Sequence, residues 1–217
     1  MVLHDISNYV KDKEALEIGG PSILFNFLYP LLKSLDILNH PDAASVHSNC
    51  GTVNQNTVRY EGDATISEHL LKIDKKYNLI ITSHTLEHIA NPIKAVELWV
   101  KLLKPNGLII QVLPNKNECW DRGREFVKLD HLIDDYNNDI GEDDMTHIHE
   151  ASCIMENRPD YYKEVGDENK YRIIHHHCFD IESLTGAHEY KNMFKTQECY
   201  IATNDPLQLV YIGKLIG

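Results

Sequence analysis

The sequence predicts an α/β protein built around a mainly parallel sheet, and two observations support this fold class. From residue 15 to residue 113, short apolar segments that end in turn residues alternate with amphipathic segments of helical period. Such alternation is typical of a parallel sheet with helices on both faces. Near the C-terminus, two further apolar segments flank Asn204-Asp205-Pro206, which predicts a β-hairpin.

Each element follows from its own segment. After a short helix within residues 1–13, a strand over residues 15–18 ends at Gly19-Gly20-Pro21, and Ser22 is a suitable N-cap for a helix over residues 23–33. Further strands are predicted at residues 35–39, 57–60, 78–83 and 108–113. Helices are predicted at residues 66–73 and 93–103. A loop is predicted at residues 40–56, and a turn at residues 105–107.

Residues 115–175 differ from the rest, because apolar segments thin out and acidic residues and histidines become dense. We interpret this segment as a cap inserted after the fifth strand, with helices over residues 128–136 and 146–156. A short helix over residues 181–185 and the two hairpin strands, residues 194–203 and 207–212, complete the chain.

The composition limits the classes of function. The chain has 217 residues, 42% of them hydrophobic, and a formal net charge of -12, so we expect one domain over residues 1–217. Neither nucleic acid nor a membrane surface is an expected partner, because both select clustered lysine and arginine. No segment has the apolar length of a membrane span or the pattern of a signal peptide. With five scattered cysteines and no CxxC pair, we expect a cytoplasmic protein with free thiols.

A polar turn with two histidines follows the strand at residues 78–83. Because ligands of parallel α/β sheets bind at the carboxyl ends of the strands, we expect Ser83, His84, Glu87 and His88 to border a site. Glu17 adds to this expectation, since a carboxylate in an apolar strand is costly unless it is paired.

These segments resemble the class I S-adenosylmethionine-dependent methyltransferases, in the type 11-like branch. The residues that carry the resemblance are S-H-T-L-E-H at 83–88 and L-K-P-N-G at 103–107, and, for a subgroup, L-E-I-G-G-P-S at 16–22, G-E-D-D-x-T-H at 141–147 and H-H-H-x-F-D at 175–180. The resemblance implies a Rossmann-like, doubly wound, seven-stranded sheet with an antiparallel C-terminal hairpin. It also implies S-adenosylmethionine as cofactor and S-adenosylhomocysteine as product.

The resemblance further implies roles for individual residues. The turn from Glu17 to Gly20 would hold the methionine end of the cofactor, Asp63 would accept from the adenine amine, and Ser83 would line the sulfonium side. The full set of cofactor-binding candidates is Glu17, Gly19, Gly20, Pro21, Ser22, Asn39, Asp63, Ala64, Ser83 and His84.

Asn39 is a departure from the family pattern. The family usually has an acidic residue there, which holds both ribose hydroxyls, and here Asp36 lies three residues earlier. An amide can still bind a hydroxyl, but without the strength of a charge-assisted hydrogen bond.

Transfer to a hydroxyl requires alignment of the nucleophile with the methyl group and benefits from a general base, for which histidine is suited near neutral pH. The candidate bases are His88, His147 and His176, and the candidate acceptor-binding residues are Asp130, His131, Asp144, His149 and His175. His147, His149, Glu150 and residues 175–177 also offer metal ligands. No metal motif is complete, so a divalent metal is not expected as a required cofactor.

The polar cap, with few aromatic residues, favours O-methylation of a small polar acceptor, such as a sugar or nucleotide-sugar used in capsule or other surface-polysaccharide biosynthesis. One alternative is a non-catalytic protein of this fold that binds or regulates part of a glycan-assembly system. Another is a different nucleotide-dependent enzyme, against which the absence of GxGxxG and of a P-loop argues. The sequence is compatible with a monomer or a homodimer.

Overall fold

The structure is a computed structural model that describes residues 1–41, 51, 53, 56–152 and 173–217. Its strands are β1 (Glu14–Ile18), β2 (Ser34–Asn39), β3 (Arg59–Glu61), β4 (Tyr77–Ser83), β5 (Leu103–Pro114), β6 (Phe194–Ile201) and β7 (Gln208–Leu215). They form one sheet in the order β3-β2-β1-β4-β5-β7-β6. All pairs are parallel except those of β7, which is antiparallel to both β5 and β6. The predicted fold class is therefore confirmed, including the C-terminal hairpin.

Two hydrophobic clusters cover the sheet, one on each face. Successive side chains of a strand point to opposite faces, and Ile80 accordingly belongs to one cluster while Leu79 and Ile81 belong to the other. This double burial explains why three consecutive residues at the centre of β4, Leu79, Ile80 and Ile81, are all apolar. The helices are α1 (Ser7–Val10), α2 (Ser67–Leu70), α3 (Pro92–Val100), α4 (Leu129–Asn137), α5 (Met145–Ser152) and α6 (Ile181–Glu189). Among the described residues, none of the helices has the length and apolar character needed to cross a bilayer.

The predicted helix over residues 23–33 is wrong. Two short 3₁₀ helices, Ile23–Phe25 and Tyr29–Leu31, occupy this segment, although Ser22 does cap the first by accepting from the Leu24 amide at 3.2 Å. Pro30 lacks an amide hydrogen and disfavours the helical conformation of Tyr29, so a continuous helix cannot form across it.

Smaller differences concern the ends of elements. α3 ends at Val100, and β5 begins at Leu103, so the predicted turn at residues 105–107 is an irregular start of this strand, with Asn106 in the left-handed region at φ 60°. α6 continues to Glu189, beyond the predicted end at residue 185. Most of the predicted loop at residues 40–56 and the end of the predicted helix over residues 146–156 lie outside the described residues.

The segment between β5 and α6 contains α4 and α5, and α4 packs against α3 and α6. It includes residues 115–175, for which the role of a substrate-binding cap stays a prediction, and we refer to this segment as the cap. It lies in the chain directly after the strand whose carboxyl end adjoins that of β4, so its side chains can approach the turn that follows β4.

Asp36, the nearest carboxylate to Asn39 in β2, has a structural role. It is buried, and its Oδ2 accepts from Lys75 Nζ at 2.7 Å and from the Tyr77 hydroxyl at 3.0 Å. It is therefore unavailable to a ribose at the strand end.

We expect Asp36→Ala to lower the free energy of unfolding by roughly 1–3 kcal/mol, because it leaves the buried Tyr77 hydroxyl without its acceptor. Urea denaturation measures this loss. The matched control Asp74→Ala removes an exposed carboxylate and should change the free energy of unfolding by less than about 0.5 kcal/mol. Equal denaturation midpoints for the two variants would contradict this role.

Candidate active site

The turn after β1 is built over a buried carboxyl group. Glu17 is fully buried, and its two oxygens accept from the Ser22 amide and from the Tyr29 hydroxyl, both at 2.9 Å. Burial raises the pKa of Glu17 to about 7, although these two hydrogen bonds favour the ionised form. A Cβ on Gly20 would lie 2.1 Å from the Glu17 carboxyl carbon, so the main chain of the turn passes directly over this group.

Gly19 and Asn39 complete the turn. Gly19 has a φ of 81°, in the region that favours glycine, and a Cβ there would lie 2.4 Å from the Thr85 hydroxyl. Asn39, at the end of β2, donates its amide to the Gly20 carbonyl. Its other polar side-chain atom, Oδ1, is buried and has no hydrogen-bond partner in the described part of the chain. This oxygen is the group on the turn that could accept from a ligand hydroxyl.

Asp63 follows β3, at the end of the sheet where the carboxyl ends of β1 and β2 also lie. Its Oδ1 accepts from the Thr65 amide at 2.8 Å and from the Thr65 hydroxyl at 2.7 Å, while Oδ2 lies 3.7 Å from His40 Nε2. The next residue, Ala64, is half-buried, and its carbonyl accepts from the Trp99 indole. The Thr65 contacts fix the orientation of the carboxylate that the resemblance assigns to the adenine.

Ser83 and His84 face different neighbours at the end of β4. The Ser83 hydroxyl lies 3.2 Å from that of Ser22, which places it beside the glycine turn. His84 has a φ of 49°, and its Nε2 meets Gln208 of β7 at 2.9 Å, on the other side of β4. Burial lowers the pKa of His84, so the ring is neutral at pH 7. The structure thus joins Ser83 to the turn and directs His84 toward β7.

Glu87 is buried beneath two imidazoles. It is 1% exposed, and among the residues that the structure describes neither of its carboxyl oxygens has a hydrogen-bond partner. Its Oε1 lies 3.6 Å from His84 Nδ1 and 4.0 Å from His88 Nε2. Burial raises the pKa of Glu87 to about 8, so the carboxyl is predominantly protonated at pH 7.

Three hydrogen bonds connect the turn after β4 to the histidine-rich segment 174–177. The His176 main-chain amide donates to the Glu87 carbonyl at 2.7 Å. His88 Nδ1 donates to the Ile174 carbonyl at 2.9 Å. His177 Nε2 donates to the Ala90 carbonyl at 3.0 Å. Because His88 uses Nδ1 as a donor, its Nε2 carries a lone pair. Burial also lowers the pKa of His88 to about 3, which keeps the ring neutral.

A buried aspartate orients the first histidine of this segment. His175 Nδ1 lies 2.5 Å from Asp121 Oδ2, and Arg124 forms an ion pair with the other oxygen of Asp121 at 3.1 Å. Burial raises the pKa of Asp121, but His175 and Arg124 outweigh this effect and hold it below its usual range. An ionised Asp121 can only accept, so His175 donates from Nδ1, and in the neutral form of the ring Nε2 is then the nitrogen with the lone pair. The His175 and His88 rings meet edge to face, with centroids 4.7 Å apart.

A second group of side chains lies further into the cap. Suitable donor atoms of His131, Asp135, His147 and His177 all lie within 4.8 Å of one another. Burial raises the pKa of Asp135 to about 6, lowers that of His147 to about 4 and lowers that of His177 well below its usual value. His176 joins neither group directly, since its Nε2 pairs with Glu142 at 3.0 Å.

The remaining predicted acceptor-binding residues lie outside both groups. Asp130 and His149 are exposed. Asp144 Oδ1 accepts from the Thr146 and His147 amides at 2.9 and 3.2 Å, and thereby caps α5. The structure therefore brings His88 and His175 together, and His131 with His147, but it does not bring Asp130 or His149 to either group.

Comparisons with known proteins bear on this arrangement. A family model described as a methyltransferase domain matches residues 5–201. The chain belongs to the methyltransferase-domain family. The predicted class, an S-adenosylmethionine-dependent class I methyltransferase, is thereby confirmed, and S-adenosylmethionine is its cofactor. A search of curated proteins finds no match to the chain.

Solved structures share the fold of this methyltransferase at low sequence identity. The CurJ carbon methyltransferase has a TM-score of 0.53 and 11% identity, over 95% of this chain and 49% of that chain. The N-methyltransferase NodS from Bradyrhizobium japonicum, in complex with S-adenosylhomocysteine, has a TM-score of 0.50 and 12% identity, over 99% of this chain and 84% of that chain. An O-methyltransferase family 2 protein from Planctomyces limnophilus, in complex with apigenin, has a TM-score of 0.53 and 12% identity, over 95% of this chain and 50% of that chain. This methyltransferase thus spans about half the length of the first and third of these chains.

Groups at the ends of β1, β2 and β3 fit the cofactor. Gly19 leaves room where a side chain would collide with Thr85, and the Asp63 carboxylate is held in a fixed orientation. Asn39 Oδ1 is a buried acceptor with no partner among the described residues. These groups would receive the methionine end, the ribose and the adenine in that order along the sheet edge, from β1 to β2 to β3. The individual roles remain predictions.

Sequence reasoning did not single out Asp121, Arg124 or Asp135. For Asp135 a signal existed, because it follows His131 by four residues in a predicted helix, and this spacing places two side chains on one helix face. Asp121 gave no local signal, since its partner His175 is 54 residues away in the chain.

We expect Gly20→Ala to lower the affinity for S-adenosylhomocysteine at least about tenfold, equivalent to about 1.4 kcal/mol. The added Cβ would overlap Glu17 and displace the turn. Calorimetry measures the loss. Gly141→Ala is the control, because its Cβ would meet only the end of the Asp143 side chain, at 3.0 Å. Unchanged affinity in folded Gly20→Ala would contradict the placement of the cofactor.

The affinity for S-adenosylhomocysteine should depend on pH because of Glu17. Because its pKa of about 7 makes it ionise between pH 6 and 8, and because the cationic amino group of S-adenosylhomocysteine favours the ionised form, affinity should rise over this range. Calorimetry at several pH values should show a severalfold increase in the wild-type protein and a flatter profile in Glu17→Gln. Identical profiles would show that Glu17 does not interact with the amino group.

Proposed function

We propose that this methyltransferase transfers a methyl group to a hydroxyl of a small polar acceptor, such as a sugar or nucleotide-sugar precursor of a surface glycan. The observation that carries the proposal is the pair formed by Asp121 and His175. Their 2.5 Å contact gives His175 a fixed tautomer and a lone pair on Nε2, which is what a base for hydroxyl deprotonation requires.

The reaction places few demands on the protein beyond alignment and proton removal. S-adenosylmethionine supplies a methyl group already activated by its sulfonium charge. Ser83, next to the glycine turn, lies on the donor side of the end of β4, and His88 with His175 lies on the side of the cap. In this proposal, His175 Nε2 accepts the proton of the acceptor hydroxyl while its Nδ1–H remains bonded to Asp121, whose negative charge stabilises the imidazolium.

His88 acts beside the base in this proposal. Its neutral ring can accept a hydrogen bond at Nε2 from a second acceptor hydroxyl, because Nδ1 is occupied by the Ile174 carbonyl. The other two predicted bases are placed less favourably. His147 lies in the second group of the cap, and His176 is fully buried against Glu142.

The chemistry of the lining supports a sugar-like acceptor. Imidazoles and carboxyl groups dominate the region between the end of β4 and segment 174–177. One exposed aromatic side chain, Trp120, stacks on His175 with ring centroids 4.3 Å apart. An aromatic face next to several hydrogen-bonding groups suits a ligand that has both C–H faces and hydroxyls.

We expect His175→Gln and Asp121→Asn to lower kcat by about 10²–10⁴-fold, the usual contribution of a general base. Affinity for S-adenosylhomocysteine should stay within about threefold of wild type, because neither residue contacts the glycine turn. Asp134→Asn, an exposed change on α4, is the matched control and should retain full activity. Equal loss of turnover and of cofactor affinity would assign a structural role to the pair.

Mass spectrometry of reactions with a panel of nucleotide sugars and sugar phosphates tests the acceptor class. The proposal predicts an oxygen-linked methyl group on at least one member of the panel. Methylation of amines or aromatic compounds, with every sugar unmodified, would overturn it.

A further inference from the structure

Four side chains of the cap converge on one point that the proposed methyl transfer does not use. His131 and Asp135 come from α4, His147 comes from α5, and His177 comes from the histidine-rich segment. The i, i+4 spacing places His131 and Asp135 on one face of α4. Three separate segments of the chain therefore contribute to this group.

The distances between the donor atoms match those of a tetrahedral metal site. His131 Nε2 lies 3.1 Å from His147 Nε2 and 3.4 Å from Asp135 Oδ2. Asp135 Oδ2 also lies 3.7 Å from His147 Nε2 and 3.5 Å from His177 Nε2. Four ligands at about 2.0–2.1 Å from a central zinc ion lie about 3.3 Å from one another. These four separations scatter around this value, and the other two pairs, His177 with His131 and His177 with His147, lie within 4.8 Å.

The group is poorly satisfied by protein contacts alone. Asp135 is 5% exposed, and its Oδ2, which faces all three imidazoles, has no hydrogen-bond partner within the described parts of the chain. His147 and His177 are buried as well, at 1% and 3% exposed. Imidazole nitrogens and a carboxylate oxygen that share one buried point are the ligand types that a divalent transition-metal cation binds.

We propose that His131, Asp135, His147 and His177 bind one divalent transition-metal ion of the zinc class. Three imidazole nitrogens and one carboxylate oxygen favour zinc and its first-row neighbours over magnesium or calcium, which prefer sites made of oxygen ligands. In the structure, His177 Nε2 donates to the Ala90 carbonyl at 3.0 Å. When the ring proton moves to Nδ1, Nε2 has a lone pair and binds the ion. A cavity of about 250 Å³, lined by His131, Glu150 and His177, gives the ion a path from solvent.

The role of the ion follows from its ligand count. Four protein ligands complete a tetrahedral site and leave no open position for a substrate, as in structural zinc sites. The ion connects α4, α5 and the segment that carries His175. It thereby holds the cap against the turn after β4 and takes no direct part in methyl transfer.

The test uses the full, untagged chain, first stripped of metal with a chelator. Titration with Zn²⁺ by calorimetry should reveal a single tight site per chain, and saturation should raise the Tm. Substitution with Co²⁺ should produce the strong visible absorption of a four-coordinate ion. His131→Gln and Asp135→Asn should abolish both signals, and these two changes are mild because His131 is half-exposed and asparagine is nearly isosteric with aspartate.

Two controls locate the ion. His149→Gln removes an exposed histidine from α5, and His175→Gln disrupts a second group of candidate ligands formed with Glu87 and His88. Both variants should retain the tight Zn²⁺ site. The proposal is overturned if the wild-type chain has no such site, or if folded His131→Gln and Asp135→Asn keep it. Loss in His175→Gln with retention in Asp135→Asn would overturn it as well, by moving the ion to the other group. The result is independent of the acceptor, since it does not require turnover.

Discussion

The three hydrogen bonds between residues 87–90 and 174–177 are the interaction on which the rest of the site depends. They join the turn after β4, which belongs to the sheet, to a segment that is 87 residues away in the chain. This contact positions His175 next to Asp121 on one side and directs His177 toward Asp135 on the other. Together with the packing of α4 against α3 and α6, this contact holds the cap next to the strand ends.

Buried carboxyl groups repeat along this edge of the sheet, and each is accommodated in a different way. Glu17 is satisfied by an amide and a hydroxyl, and Asp121 is ionised between His175 and Arg124. Glu87 has no hydrogen-bond partner among the described residues and is predominantly protonated. Asp135 directs its Oδ2 toward three imidazoles. Since an unpaired buried charge is costly, such groups persist where a ligand, a proton or an ion completes them. This reasoning connects the cofactor turn, the proposed base and the proposed metal site.

Much of the fold could be predicted from the sequence, because apolar strands and their turns are local signals. The glycine turn and the β4 motif are local too, which is why the sequence alone nominates Glu17, Ser83 and His88 as candidates. The helix predicted over residues 23–33 failed where Pro30 interrupts it. The pairs that organise the site, such as Asp121 with His175, join residues distant in sequence, and no local pattern indicates them. The histidine-rich run was visible, but only the structure shows that His175, His176 and His177 face three different partners.

The most direct test of the account is an experimental structure of the chain with S-adenosylhomocysteine bound. We predict its amino acid end on the turn from Gly19 to Ser22, its ribose within hydrogen-bond distance of Asn39 Oδ1, and its sulfur facing the space in front of His88 and His175. A sulfur directed away from both imidazoles, or a cofactor bound elsewhere on the chain, would contradict the claim that donor and acceptor meet where the turn after β4 joins the histidine-rich segment.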